Sequence, residues 1–268
     1  MDSLSKTPLP LTRLLRDQLG SIRRVYLRGN RIVRRDDFAS FPETVLLLHG
    51  FFQTRNVWEI MEDRLRFDDY VVFSLNLGGL LQRFNTVPVS ELGDRLAEKL
   101  ETVCNRYDIE RFHIIGHSKG GILARQYVQH HSGDQRTKSL ITLGTPHHGT
   151  PTAAVGVWLM GLGIVTKSPF ELLPRSKVIR NLGRDTFPSH IPLTSIYSRH
   201  DLVCPFWCST LFPRTGETSM TNRPIRRVGH TALCYDPGVY ALVRTELEKA
   251  THLWEERSPG KSRTLPGT

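Results

Sequence analysis

Residues 112–128 read FHIIGHSKGGILARQYV, and this stretch decides the fold. Phe112 to Ile115 is an apolar run that stops at Gly116. His117, Ser118, Lys119 and two glycines follow, and then Ile122, Leu123 and Tyr127 recur at helical spacing. A short apolar run bounded by glycine suits a strand buried on both faces. Gly116 to Gly120 therefore form a sharp strand-to-helix turn with one hydroxyl at its apex. This fits G-x-S-x-G, the nucleophile elbow. The serine of such a turn takes a strained backbone angle. Bulky neighbours two residues away would clash, which accounts for Gly116 and Gly120. Gly121 lets the helix approach the strands, and the positive end of that helix lies beside the hydroxyl.

The same alternation extends outward from the elbow. Val45–Leu48 is a fully apolar strand ending at His49-Gly50, and residues 69–79 hold a second apolar run ending in glycines. Leu92, Leu96, Leu100, Val103 and Tyr107 form one stripe of an amphipathic helix. Further strands are expected within 138–146, 193–201 and 224–230, and a last helical stripe at Val239, Leu242, Val243 and Leu247. Apolar strands alternating with helices predict an α/β fold with a mostly parallel central sheet covered on both faces. Ligands then bind beyond the carboxyl ends of the strands. Residues 147–192 break the alternation and are too long for a plain connection. They are read as a helical cap. Residues 1–40 are a basic lead-in with one strand-like stretch, SIRRVYLRG. Residues 41–250 are the main domain, and 251–268 a disordered tail.

A serine hydroxyl is a weak nucleophile near neutral pH and needs a base. His230 lies in RRVGHTALCYDP, between an expected strand and the last helix. For a turn of this kind the partners follow in the order serine, acid, histidine, which favours His230 among the eleven histidines. The base needs a carboxylate to hold its tautomer. Asp201 ends LTSIYSRHD directly after a strand, whereas Asp134 and Asp185 sit in polar loops. The developing oxyanion needs two backbone N–H donors. Lys119 follows the nucleophile, and Phe51 stands in the HGFF loop after the first core strand. The blander reading of Phe51 and Phe52 is a pair of core residues at a strand end. Phe52, Trp158 and Leu159 are the candidate substrate-binding side chains.

The combination of VLLLHGFFQTRNVW, GHSKGG, LGTPHHGT, SIYSRHDLVCP and GHTALCYDPGVYALV resembles the bacterial lipases and esterases of the α/β-hydrolase fold. The resemblance covers about residues 44–248. It implies Ser118, Asp201 and His230 as a catalytic triad, Phe51 and Lys119 as the oxyanion hole, a lid within 147–192, and carboxylic esters as substrates. Medium- to long-chain acyl esters fit the apolar run at 155–165. The triad is common to phospholipid deacylases, thioesterases and acyltransferases of the same fold. A binding module that kept the fold without catalysis would be expected to lack a triad member, and here all three are present. The chain departs from the pattern at Lys119, where many relatives carry Met or Gln. Some relatives hold a structural calcium, but Asp236 alone lacks the several oxygen ligands a calcium site takes. No metal and no cofactor is expected.

The formal charge of +10 has two readings. One is a solvated basic face. The other is transient attraction to an anionic lipid surface. No aromatic interleaving or zinc-finger spacing supports nucleic acid as a partner. Residues 1–40 hold nine basic and four acidic side chains. Pro and charge interrupt the first 20 residues, so no export signal is read there. The longest apolar run, 155–165, falls short of the ~20 residues that span a bilayer. A cytoplasmic location is therefore expected, with a secreted form as the open alternative. Oligomeric state is not encoded in any of these features. Cys104 reads as a small core residue, and a disulfide among Cys204, Cys208 and Cys234 is left open.

Overall fold

The computed structural model describes residues 43–78, 85–154, 166–215, 217 and 219–257. Strands β1 (Glu43–Leu48), β2 (Tyr70–Ser74), β3 (Phe112–His117), β4 (Thr137–Leu143), β5 (Leu193–Ser198) and β6 (Met220–Ile225) form one sheet in the order β2-β1-β3-β4-β5-β6. Every neighbouring pair is parallel. Parallel neighbours require crossovers, and helices supply them: α1 (Glu59–Phe67), α2 (Val89–Tyr107) and α3 (Lys119–His130). Helices α4 (Ser168–Glu171), α5 (Lys177–Arg184), α6 (Phe206–Ser209) and α7 (Pro237–Arg257) complete the described set.

The period of two along β1 divides its side chains between two cores. Leu46 and Leu48 face α2, α3 and α5, packing with Leu96, Leu100, Leu123 and Ile179. Val45 and Leu47 face α1 and α7, packing with Met61, Leu65, Val243 and Leu247. Burial of each such aliphatic side chain contributes on the order of 2 kcal/mol. A sheet covered on both faces offers ligands only its ends and edges. The strand ends named from sequence all lie at the carboxyl end of this parallel sheet.

Three boundaries differ from the sequence expectation. Strand β6 occupies 220–225 rather than 224–230. It is an edge strand of half-buried residues, so it lacks the apolar run that marks β1 and β3, and Pro224 is tolerated there. Helix α7 runs to Arg257, seven residues into the tail expected from 251. Ala250 and Trp254 extend its stripe, and Trp254 Nε1–H donates to the Lys138 carbonyl at 2.6 Å. Within the expected cap, α5 presents Val178, Ile179 and Leu182 to the main core. That part of 147–192 is integral to the domain. Residues 155–165, with Trp158 and Leu159, lie outside the described residues, as do the SIRRVYLRG stretch and 258–268.

All four cysteines are free and buried. Cys204 and Cys208 share a thiol hydrogen bond instead of a disulfide, and Cys104 joins the α2–α3 core. Among the described residues no helix is long and apolar enough to cross a membrane.

Candidate active site

Ser118 stands between β3 and α3 with φ 53° and ψ −122°. A non-glycine residue in that region costs of order 1–3 kcal/mol. The surrounding backbone enforces it. Ser118 N–H donates to the Leu143 carbonyl at 2.9 Å, and Gly121 N–H donates to the Ser118 carbonyl at 3.0 Å. The turn needs glycine for closeness. A Cβ on Gly116 would lie 2.6 Å from Gly121 Cα, and one on Gly120 would lie 2.6 Å from the Leu48 carbonyl carbon. Ser118 therefore projects at the carboxyl end of the central strand.

His230 and Asp201 come from two other strand ends and meet. His230 Nδ1–H donates to Asp201 Oδ2 at 2.7 Å, and both residues are buried. The carboxylate only accepts, so a ring proton sits on Nδ1, and in the neutral ring Nε2 carries the lone pair. Asp201 is fixed by its other oxygen, because Oδ1 accepts from Val203 N–H at 2.9 Å and Cys204 N–H at 2.8 Å. Gly144, after β4, makes room for the pair. Its φ is +55°, and a Cβ there would sit 3.1 Å from Asp201 Oδ2 and 3.2 Å from His230 Nδ1.

The turn also touches His230 through His117. Its Nε2 lies 3.1 Å from the His230 carbonyl oxygen and its Nδ1 lies 2.9 Å from Gln53 Oε1. Burial, reinforced by neighbouring His230, holds the His117 pKa well below the usual histidine value. A neutral ring donates to only one of these two carbonyl oxygens at a time. Gln53 Oε1 also accepts from Gly50 N–H at 2.9 Å. A Cβ on Gly50 would meet Ser118 Cβ at 3.0 Å, so the loop after β1 backs directly onto the serine.

Phe51 and Phe52 stand on that loop, their rings 6.2 Å apart. Phe51 is half-buried and packs against the α2–α3 core. Phe52 has φ 53°, and its N–H donates to the Asn85 carbonyl at 3.2 Å. Lys119 is wholly buried, and its Nζ lies 2.8 Å from Asn85 Oδ1. Gln53 and Asn85 escaped the sequence reading. Gln53 has no chemical signature of its own within VLLLHGFFQTRNVW, Asn85 belongs to no motif, and Asn85 lies 34 residues from Lys119 in the chain. Among the described residues no three His, Cys, Asp or Glu side chains gather as a metal site.

The comparisons with known proteins agree with this architecture. The model of the alpha/beta hydrolase fold family matches residues 43–161, which contain β1 to β4 and the elbow. Mature Bacillus licheniformis lipase BlEst2 superposes with a TM-score of 0.63 at 17% identity, over 82% of this chain and 99% of that one. A thermophilic esterase from Thermogutta terrifontis gives 0.52 at 17%, over 79% and 92%. The 2-hydroxy-6-oxo-6-phenylhexa-2,4-dienoate hydrolase of Rhodococcus sp. strain RHA1 gives 0.53 at 16%, over 78% and 90%. No curated protein sequence matches this chain. At such identities the likeness is one of fold. The parallel sheet, the strained serine turn and the matched segment identify the chain as a protein of the α/β-hydrolase fold.

Proposed function

We propose that the chain is a serine hydrolase of carboxylic esters, with Ser118, His230 and Asp201 as its triad. The observation that carries this reading is the 2.7 Å contact between His230 Nδ1 and Asp201 Oδ2 at the strand ends where Ser118 turns. In the first half-reaction His230 Nε2 takes the Ser118 Oγ proton as Oγ bonds to the ester carbonyl carbon. The Phe51 and Lys119 backbone N–H groups hold the resulting oxyanion. The tetrahedral species collapses, the C–O bond breaks, and His230 returns the proton to the leaving alcohol. Water then attacks the acyl-enzyme with His230 again as base, which releases the acid and restores Ser118.

Lipid-like acyl donors are favoured by the rim of the site. Leu202, Val203, Phe206 and Trp207 follow Asp201 and are 49, 43, 41 and 56% exposed. Among the described residues from 199 to 227, every exposed charge is an arginine: Arg199, Arg214, Arg226 and Arg227. Exposed apolar and arginine side chains on one stretch of chain suit an anionic lipid surface. A panel of p-nitrophenyl esters from two to sixteen carbons, run with and without phosphatidylglycerol vesicles, tests both parts. The expected result is hydrolysis extending through octanoate and retention of the protein on anionic but not phosphatidylcholine vesicles. Activity confined to acetate would remove the longer-chain assignment, and loss of vesicle binding would remove the lipid contact. A panel with no hydrolysis at all would contradict the enzyme.

A further inference from the structure

We infer that the Lys119 side chain is a positioning residue that braces the two halves of the oxyanion hole against each other. The inference rests on the proposed assignment of Lys119 and Phe51 as the two backbone donors. Lys119 lies in the elbow, and its side chain runs to the segment that holds the other donor loop. Nζ donates to Asn85 Oδ1 at 2.8 Å, to the Asn85 carbonyl at 3.4 Å, and to the Val87 carbonyl. An ammonium has three N–H bonds, and here three oxygens receive them. The same Nζ sits 5.7 Å from the centroid of the Phe51 ring, within the range of a cation–π contact.

Asn85 passes this contact on to the loop after β1. Its Nδ2–H donates to the His49 carbonyl at 2.9 Å, its N–H donates to the Gln53 carbonyl at 3.1 Å, and its carbonyl receives Phe52 N–H at 3.2 Å. Residues 49, 52 and 53 thus bracket Phe51 and are all bonded to Asn85. The far end of the segment is held as well, since Glu171 accepts from Val89 N–H and Ser90 N–H at the start of α2. A buried charged side chain is costly unless its donors are satisfied. Methionine of similar length would fill the space but leave Asn85 Oδ1 and the Val87 carbonyl without this donor, the Asn85 carbonyl keeping only Phe52 N–H. This chain therefore uses a lysine for a task that packing alone would not accomplish.

The brace also has a protonation state to maintain. Burial draws the Lys119 pKa down to about 7, and Glu171 opposes this. The other titratable group facing it is His49, which burial holds neutral with a pKa of about 4. Deprotonation removes one of the three N–H donors. The brace is therefore complete on the acid side of the lysine titration and loses a bond as pH rises above it.

The test compares wild type with Lys119→Met, Lys119→Gln and Asn85→Ala. Lys119→Met is expected to lower kcat about 10- to 100-fold, with KM changed by less than about threefold, because the loss falls on the transition state. Lys119→Gln, whose amide offers two N–H donors, is expected to recover most of that loss. Wild type is expected to lose kcat as pH rises through the lysine titration, and both lysine variants should lack that fall. Hydrogen–deuterium exchange supplies a readout independent of turnover: residues 49–53 and 85–87 should exchange faster in Lys119→Met and in Asn85→Ala, while β3 and β4 stay protected. Wild-type exchange in those segments of Lys119→Met would overturn the brace even if no ester is hydrolysed. Wild-type kcat in Lys119→Met, with an active parent, would overturn it equally. An inactive parent whose exchange responds as expected would instead count against the proposed reaction and leave the brace standing.

Discussion

Replacing Ser118 by alanine is expected to lower kcat for ester hydrolysis by about 10⁴- to 10⁶-fold while the fold survives. The size of the effect follows from chemistry. In the proposed reaction no acyl-enzyme forms without Oγ, and only binding and the proposed oxyanion donors remain to assist water. Survival of the fold follows from geometry. The turn demands φ 53° and ψ −122° of any residue placed there, and serine and alanine both carry a Cβ. The Ser118 side chain caps no helical N–H, so alanine removes no structural bond of that kind. Unfolding free energy should therefore stay within about 0.5 kcal/mol of wild type. Rates measured on p-nitrophenyl butyrate, beside a thermal melt, check both halves. Wild-type turnover by the variant would dismiss Ser118 as nucleophile.

Asp201→Asn is expected to cost about 10⁴-fold in kcat, and this structure says why. Asp201 Oδ1 accepts two backbone N–H bonds, from Val203 and Cys204. An asparagine would have to keep its carbonyl oxygen there, because an NH₂ group would face two donors. Its Nδ2 would then point at His230 Nδ1, where the carboxylate oxygen now sits at 2.7 Å. Two donors cannot share that contact, so the imidazole must move its proton to Nε2. The lone pair needed by Ser118 is then occupied. The prediction separates orientation from charge. Asp201→Ala leaves His230 free to choose its tautomer and should be less damaged in tautomer but more in placement. A ring ¹⁵N spectrum of Asp201→Asn should show the Nε2–H form. Unchanged kcat in Asp201→Asn would reject the carboxylate's role.

Much of this was legible in the sequence wherever burial writes a continuous signal. Val45–Leu48 and Phe112–Ile115 are buried on both faces of a parallel sheet, so their apolar runs stood out. The elbow was legible because close approach leaves glycine as the only residue at 116 and 120. The order of serine, acid and base placed Asp201 and His230 on separate strand ends, and the two do meet. The edge strand β6 was misplaced because its half-buried MTNRPI carries neither an apolar run nor clean alternation. The last helix was ended early, although Trp254 continues its stripe seven residues beyond Leu247. The polar network of Gln53, Asn85 and Lys119 left no trace. Its contacts join residues 32 to 34 positions apart, and no local periodicity encodes such a pairing.

The proposed reaction requires Ser118 to be a nucleophile activated by His230. It is tested most directly by treating the protein with a fluorophosphonate probe and locating the adduct by peptide mass spectrometry. One adduct per chain is expected, on the peptide containing Ser118, formed far more slowly when His230 is replaced by alanine. A protein that stays unlabelled, or an adduct on another residue, would contradict it.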